Sequence, residues 1–181
     1  MRNRYWSIVV FLLMFSCMKT TPRYPVLEKS STFFKESVEL NKKMNAEEAR
    51  AFQHYMTNDT AHDYISSPSG FWYYFDLKNE SNYKIQSGDE LSFSYEVLNL
   101  NNERIYTKDD VGEQIYRMDQ QEIVEGLRIG LKLMGVDDKA TFLFPSHHLY
   151  GYLGDQNKIE VNQPLIYKVQ LNKIISKNES K

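Results

Sequence analysis

Short strand patterns in the C-terminal half of the sequence constrain the fold more than any other feature. Residues 91–98 (LSFSYEVL) and 164–171 (PLIYKVQL) alternate apolar and polar side chains, as strands with one buried face do. Residues 71–75 (FWYYF) and 140–144 (ATFLF) are further strand-prone runs. Among these runs, residues 123–134 (IVEGLRIGLKLM) repeat apolar side chains at helical spacing. We therefore expect an α+β fold, in which a curled antiparallel sheet wraps on one short helix.

The N-terminal residues predict export from the cytoplasm. Arg2 and Arg4 precede the apolar run 6–15 (WSIVVFLLMF), which has the length of a signal-peptide core and is short for a membrane span. Cys17, the single cysteine of the sequence, follows at once. We interpret residues 1–16 as a lipoprotein signal peptide and Cys17 as the lipidation site. The alternative is an ordinary cleaved signal, or an uncleaved anchor, with Cys17 incidental.

This interpretation also predicts a location and a domain plan. The signal sequence predicts that the mature protein lies in the cell envelope, lipid-anchored through Cys17. Because no acidic run follows Cys17, we expect the anchor on a periplasm-facing membrane. Asn45 and Glu48 form a capping-box pattern, which predicts a helix over residues 46–57. Four segments follow along the chain: signal peptide 1–16, tether 17–45, helical extension with the first strand 46–84, and main domain 85–176.

Composition argues against several classes of function. A net charge of −2 supplies no basic surface for nucleic acid. With four histidines and one cysteine, no metal site is expected. His147 and His148 are adjacent, so on an extended chain they point apart, and we predict that both are solvent-facing loop residues. Neither a G-x-S-x-G hydrolase motif nor a glycine-rich phosphate loop occurs, and no cofactor is expected.

Four blocks in order carry a resemblance to a known family. They are GDELSFSYEVLNLNNERIY at 88–106, QEIVEGLRIGLKLMGV at 121–136, FPSHHLYG at 144–151 and NQPLIYKVQL at 162–171. Together they resemble the successive blocks of the FKBP-type peptidyl-prolyl cis-trans isomerases, over about residues 85–175. The helical extension and the lipidated cysteine make the chain similar to the FKBP-type lipoproteins associated with gliding motility in Bacteroidetes.

The resemblance implies a fold and an activity. The main domain 85–176 is expected to be an FKBP-like half-barrel, and the chain to be a peptidyl-prolyl isomerase that assists the folding of cell-envelope proteins. Its partners would be proline-containing protein clients, with gliding or secretion machinery among them, and the membrane reached through Cys17. No cofactor, metal or nucleic acid is implied.

The resemblance also assigns site residues. Tyr150 matches the tyrosine whose hydroxyl donates to the substrate, and the backbone N–H of Val124 matches the donor that holds a substrate carbonyl. Tyr95 matches the pocket tyrosine of the first block. The residues expected to line the rest of the substrate pocket are Ile105, Tyr106, Tyr116, Ile123, Leu127, Ile159 and Tyr167. From their pattern alone, Tyr95 and Tyr167 could equally be core aromatics.

Four positions depart from the family pattern. Ile105-Tyr106 stands where the family has an aromatic residue followed by Asp, Leu127 replaces a tryptophan, and Gln114 replaces an aromatic residue. The cleft is therefore expected to be shallower or wider than in the family. Two alternatives stay open: a module that binds proline segments with little turnover, and a structural lipoprotein that docks on a membrane complex.

Overall fold

The computed structural model describes residues 28–81 and 83–177. The expected signal peptide, Cys17 and the first part of the tether lie outside the described residues. Two compact units divide the chain, residues 1–40 and 41–181. Of the first unit the described part, residues 28–40, is helical, and the side chains of Phe33 and Phe34 are exposed.

Helix α1 (Glu28–Asn58) is longer than the sequence predicted. The predicted start at residue 46 is wrong, because the segment from 28 to 45, expected to be a tether, is helical. It contains no glycine or proline and is rich in Glu and Lys, which are good helix formers. Asn45 and Glu48 therefore lie inside α1 and form no capping box. In the described part of the chain no helix is long and apolar enough to span a membrane.

The remaining elements are mostly strands, as predicted. In chain order they are β1 (Ile65–Ser66), β2 (Trp72–Leu77), β3 (Glu90–Leu98), β4 (Arg104–Tyr106), α2 (Lys108–Val111), β5 (Gln114–Arg117), α3 (Glu125–Leu131), β6 (Lys139–Phe144), two 3-10 turns (Ser146–His148 and Gly151–Leu153) and β7 (Leu165–Ile175). The four predicted strand runs correspond to β2, β3, β6 and β7. The short helix α2 and strands β1, β4 and β5 were not predicted.

The strands form one antiparallel, seven-stranded sheet, which is not closed into a barrel. The order is β1-β2-β6-β7-β3-β4, with β5 also paired to β3. The longest pairing joins β3 to β7, with Tyr95 opposite Val169 and Val97 opposite Tyr167. β1 and β2 precede the expected main domain, yet they extend the same sheet through the pairing of β2 with β6. The expected α+β fold, with a curled antiparallel sheet and an N-terminal helix, is confirmed.

Alternation along the strands buries both faces of the sheet. Tyr167 of β7 points into one cluster, and its neighbour Ile166 points into the other. The inner core, between the sheet and α3, includes Phe93, Leu127, Leu131, Phe142, Phe144 and Tyr167. The outer cluster, where Phe52 of α1 packs, is formed by Phe52, Leu98, Leu143 and Ile166. The period of two in the sequence therefore decides which side chains reach each face.

Two glycines let α3 approach the sheet closely. A Cβ atom at Gly126 would lie 2.9 Å from Cδ1 of Phe144, and one at Gly130 would lie 3.1 Å from Cε1 of Phe142. The rings of Phe142 and Phe144 are stacked, with centroids 5.3 Å apart, so neither can move aside freely. Contact distance, rather than backbone flexibility, therefore requires glycine at these helical positions.

We predict that Gly126→Ala destabilises the domain although alanine is the better helix former. Helix propensity would add about 1 kcal/mol of stability, but overpacking a dense core costs about 1–3 kcal/mol. Urea denaturation should therefore show a lower midpoint for Gly126→Ala. The matched test adds Phe144→Leu, which removes the crowding ring edge, so the double variant should lose less stability than the sum of the single variants. Strict additivity would contradict the packing explanation.

Candidate active site

The residues assigned from the sequence come together in one place. Every residue expected at the catalytic or substrate-binding positions belongs to the inner core or packs on its edge. Tyr116, Leu127, Ile159 and Tyr167 are buried, whereas Tyr95, Ile105, Tyr106, Ile123, Val124 and Tyr150 are half-buried. Their assembly places the candidate site at the edge of the inner core; their individual roles stay predictions.

Aromatic rings from two neighbouring strands form the floor of the site. The rings of Tyr95 on β3 and Tyr167 on β7 are stacked, with centroids 5.4 Å apart. Phe144, at the end of β6, meets Tyr167 edge-on at 5.7 Å. Leu127 of α3 is buried in the same core, where the family pattern has a tryptophan. The result is an apolar cluster in which Tyr167, Phe144 and Leu127 are buried and Tyr95 is half-buried at the edge.

The loop after β6 presents Tyr150, and a residue of α1 holds this loop. Pro145 ends β6, and the 3-10 turn Ser146–His148 follows. The carboxylate of Glu48 accepts hydrogen bonds from the backbone N–H of Ser146, at 2.9 Å, and from its hydroxyl, at 2.5 Å. Since Glu48 and Ser146 are both buried, this contact fixes the start of the loop. The sequence suggested only a helix cap for Glu48.

The prediction for His148 is wrong. His147 is exposed, but His148 is only 8% exposed and its ring contacts protein on both sides. Its Nε2 lies 2.7 Å from the carbonyl oxygen of Ser69, and its Nδ1 lies 3.2 Å from a carboxylate oxygen of Glu125. Nor do the two histidines point apart, since their ring centroids are 4.4 Å apart. The 3-10 turn replaces the extended backbone on which that expectation depended.

A backbone donor lies at the edge of the inner core, on which Val124 packs. Val124, with φ −57° and ψ 138°, immediately precedes α3. Its carbonyl accepts a hydrogen bond from the N–H of Arg128 at 3.1 Å. Its own N–H donates no hydrogen bond to the residues that the structure describes. Since backbone donors are almost always paired when buried, this half-buried N–H is available to a ligand carbonyl.

An acidic residue that the sequence did not suggest lies at the edge of the site. Tyr106, which occupies the family's aspartate position, donates its hydroxyl proton to the carboxylate of Asp155. Asn157 donates to the Tyr106 oxygen at 3.0 Å, and Asp155 accepts the backbone N–H of Ile159 at 2.7 Å. These hydrogen bonds join Tyr106 on β4 to the loop that carries Ile159, and we call the contact between Tyr106 and Asp155 the clasp. The D-x-N pattern of this loop is a local turn signal, but the partnership with Tyr106 is not visible in sequence.

The ionisation of these groups follows from their surroundings. Burial raises the pKa of Tyr95 to about 12, and the neighbouring phenols of Tyr150 and Tyr106 add to the shift. The hydrogen bond to Asp155, and then burial, raise the pKa of Tyr106. Burial acts to raise the pKa of Asp155, but hydrogen bonds from Tyr106 and Ile159 bring it below its ordinary value. At neutral pH the phenols therefore stay protonated and Asp155 stays charged.

Gln114 does not take over the role of the missing aromatic residue. Its side-chain amide donates to the carbonyl oxygen of Val111 at 2.7 Å, which ties β5 to the end of α2. Among residues 28–81 and 83–177, no group of three or more His, Cys, Asp or Glu side chains is placed to hold a metal ion.

An aromatic-lined site with hydrogen-bond donors, carried on a curled antiparallel sheet, is the architecture of a prolyl isomerase. The sequence profile of the FKBP-type peptidyl-prolyl cis-trans isomerases matches residues 81–172, just over half of the chain. The chain therefore belongs to the FKBP-type peptidyl-prolyl cis-trans isomerase family and is an enzyme of that class.

Solved structures show the same fold. FkpA from Escherichia coli superposes with a TM-score of 0.59 and 16% identity, over 98% of this chain and 83% of FkpA. A peptidyl-prolyl cis-trans isomerase from Pseudomonas syringae pv. tomato gives 0.57 and 17%, over 72% of this chain and 96% of that one. At these identities the similarity concerns the fold alone. A search of curated protein sequences found no match.

We predict that Tyr106→Phe, which removes only the clasping hydroxyl, lowers kcat/KM roughly tenfold in a protease-coupled assay on X-Pro peptides. A hydrogen bond to a charged group contributes about 1.5–3 kcal/mol, and its loss frees the loop that holds Ile159 over the site. Tyr152→Phe is the matched control, because Tyr152 lies on the adjoining loop and is 77% exposed. A similar loss of activity in both variants would contradict a role for the clasp.

Proposed function

We propose that this isomerase is a lipid-anchored folding catalyst of the cell envelope, acting on X-Pro bonds of exported proteins. Gliding or secretion machinery would be among its clients. The anchor and the location rest on the apolar run 6–15 followed by Cys17. The catalytic part is supported by one observation above the others: Tyr95, Tyr150, Tyr167 and Val124 all belong to the inner core or pack on it, and the N–H of Val124 donates no hydrogen bond to the described residues.

The reaction needs positioning rather than acid–base chemistry. Rotation about an X-Pro bond crosses a barrier of roughly 18–20 kcal/mol because amide resonance is broken, and uncatalysed it takes tens of seconds or longer. The twisted amide has less charge separation than the planar one. An apolar surface therefore stabilises it relative to water, provided that the flanking carbonyls are held.

The described groups fit these needs. The prolyl ring would contact the half-buried Tyr95, which packs over the buried side chains of the inner core, Leu127 and Tyr167 among them. The N–H of Val124 would donate to one carbonyl beside the rotating bond, and the hydroxyl of Tyr150 to another. No proton is transferred in this reaction, so the two donors only have to hold the carbonyls in place.

Two variants test these donors without removing the floor. Tyr150→Phe removes one donor, and Val124→Pro removes the other. Proline suits position 124 because its ring requires φ near −65°, close to the observed −57°. A hydrogen bond is worth about 0.5–1.5 kcal/mol, so each variant should lower kcat/KM by roughly two- to tenfold.

Val124→Ala, which keeps the N–H, is the control and should retain activity. Circular dichroism melting curves establish that each variant is folded. Folded variants with wild-type rates would remove both residues from the mechanism.

A second function is favoured by one observation. Leu127 stands where the family has tryptophan, and the acidic group is displaced from position 106 to Asp155, so preorganisation for catalysis is weaker. Under this alternative the protein binds proline segments as a chaperone with turnover near background. The same Tyr150 and Val124 variants would then weaken peptide binding, measured by calorimetry, while the wild-type rate is already close to the uncatalysed one.

The anchor has its own test. In cells that express the full chain, Cys17→Ser should abolish labelling by a clickable fatty acid and move the protein from the membrane fraction to the soluble envelope fraction. A single acyl chain gives only marginal membrane binding, whereas two or more hold a protein firmly. The control is Ser16→Ala, which keeps a small residue before the cysteine. Membrane association that survives Cys17→Ser would favour the uncleaved anchor.

A further inference from the structure

The Tyr167 hydroxyl is the most unusual polar group of the inner core. Tyr167 is 0% exposed, and its hydroxyl has no hydrogen-bond partner among the described residues. More than about 90% of buried polar groups in proteins are paired, and leaving one unpaired costs about 1–3 kcal/mol. Other tyrosine hydroxyls here do find partners: Tyr64 donates to Asp59 at 2.7 Å, and Tyr83 to Asp89 at 2.8 Å.

Packing does not explain this hydroxyl. The ring of Tyr167 stacks on Tyr95 and meets Phe144 edge-on, and a phenylalanine ring would make both contacts. Phenylalanine would also avoid burying an unpaired oxygen. The hydroxyl therefore costs the free enzyme stability, which suggests that another state of the enzyme uses it.

The group best placed to use it is Tyr150. Tyr150 packs on the inner core to which Tyr167 belongs. Burial raises the pKa of Tyr167, and the Tyr150 phenol adds to the shift through its charge and through an incompletely formed hydrogen bond between the two hydroxyls, ahead of Tyr95 and Asp155. Tyr150 is only half-buried, on the loop after β6, and the hydroxyls of Tyr150 and Tyr167 do not meet hydrogen-bond geometry. Catalytic hydrogen bonds are often long in a free enzyme and shorten in the complex.

Binding of a substrate would provide the reason for this hydrogen bond to form. When a hydroxyl donates its proton to a carbonyl, its oxygen becomes a better acceptor, and successive hydrogen bonds strengthen one another. A second donor behind Tyr150 would thus make Tyr150 a stronger donor and hold it in one orientation. The proton of Tyr167 remains available for this, because burial keeps the phenol protonated.

We propose that Tyr167 is a positioning residue for Tyr150: in the substrate complex, its buried hydroxyl donates to the Tyr150 oxygen while Tyr150 donates to a substrate carbonyl. This inference rests on the role of Tyr150 proposed above. In this proposal the ring of Tyr167 packs in the inner core, and its hydroxyl acts in the reaction through Tyr150.

Tyr167→Phe provides a test in which stability and activity move in opposite directions. The melting temperature should rise by about 2–4 °C, as expected for relief of one unpaired hydroxyl in a chain of this size. At the same time kcat should fall roughly two- to tenfold, with KM little changed. In the Tyr150→Phe background, Tyr167→Phe should have no further effect on the rate, because Tyr167 acts through Tyr150.

The matched control is Tyr64→Phe. Tyr64 packs on the outer cluster, away from the inner core, and its hydroxyl is already paired with Asp59. This variant should melt at a lower temperature and keep the wild-type rate. The two substitutions remove the same atom type, so opposite changes in stability isolate the effect of an unpaired hydroxyl.

Three results would overturn the inference. One is a wild-type rate for Tyr167→Phe. Another is a lower melting temperature, which would mean that the hydroxyl is already satisfied in the free enzyme. The third is a further loss of rate when Tyr167→Phe is added to Tyr150→Phe. The rates of the wild type and of Tyr150→Phe are measured first. If these two rates are equal, the proposed role of Tyr150 is wrong. If they differ, any of the three results above overturns the role of Tyr167 alone.

Discussion

The pairing of β3 with β7 is the interaction on which the rest of the structure depends. It joins two strands from distant parts of the sequence, with Tyr95 opposite Val169 and Val97 opposite Tyr167. This register places the rings of Tyr95 and Tyr167 on the same face and stacks them at 5.4 Å. A slip of one residue would send one ring to the outer face, and the floor of the active site would be lost.

Polar contacts then hold the movable parts of the site against this floor. Glu48 binds the start of the loop that carries Tyr150, His148 connects that loop to Glu125 at the start of α3, and Tyr106 clasps the loop of Ile159 through Asp155. Each contact joins segments far apart in sequence. Satisfied networks of this kind rigidify a protein. By contrast, one buried side-chain hydroxyl of the described residues, that of Tyr167, is left unpaired.

These features fit a reaction that consists of a rotation. Burial raises the pKa of Tyr95 and of Tyr167, so both phenols stay protonated at neutral pH. The site's departures from the family pattern are compensated in part by other residues: the displaced acidic group reappears as Asp155, held by the tyrosine that replaced it. The site therefore keeps apolar side chains and hydrogen-bond donors, whereas its acidic group, Asp155, comes from the loop after the second 3-10 turn and not from β4.

Much of the fold could be predicted from the sequence, and the residues assigned to the site all belong to the inner core or pack on it. Alternating residues in β3 and β7 determined which side chains face the core, because side-chain direction in a strand follows from its period of two. The order of four blocks indicated the family and the residues that gather at the site. The burial of His148, the clasp of Tyr106 on Asp155 and the isolation of the Tyr167 hydroxyl were decided only in the tertiary structure. Periodicity is a property of neighbours along the chain, whereas the partner of a polar side chain depends on residues that only folding brings within 3 Å.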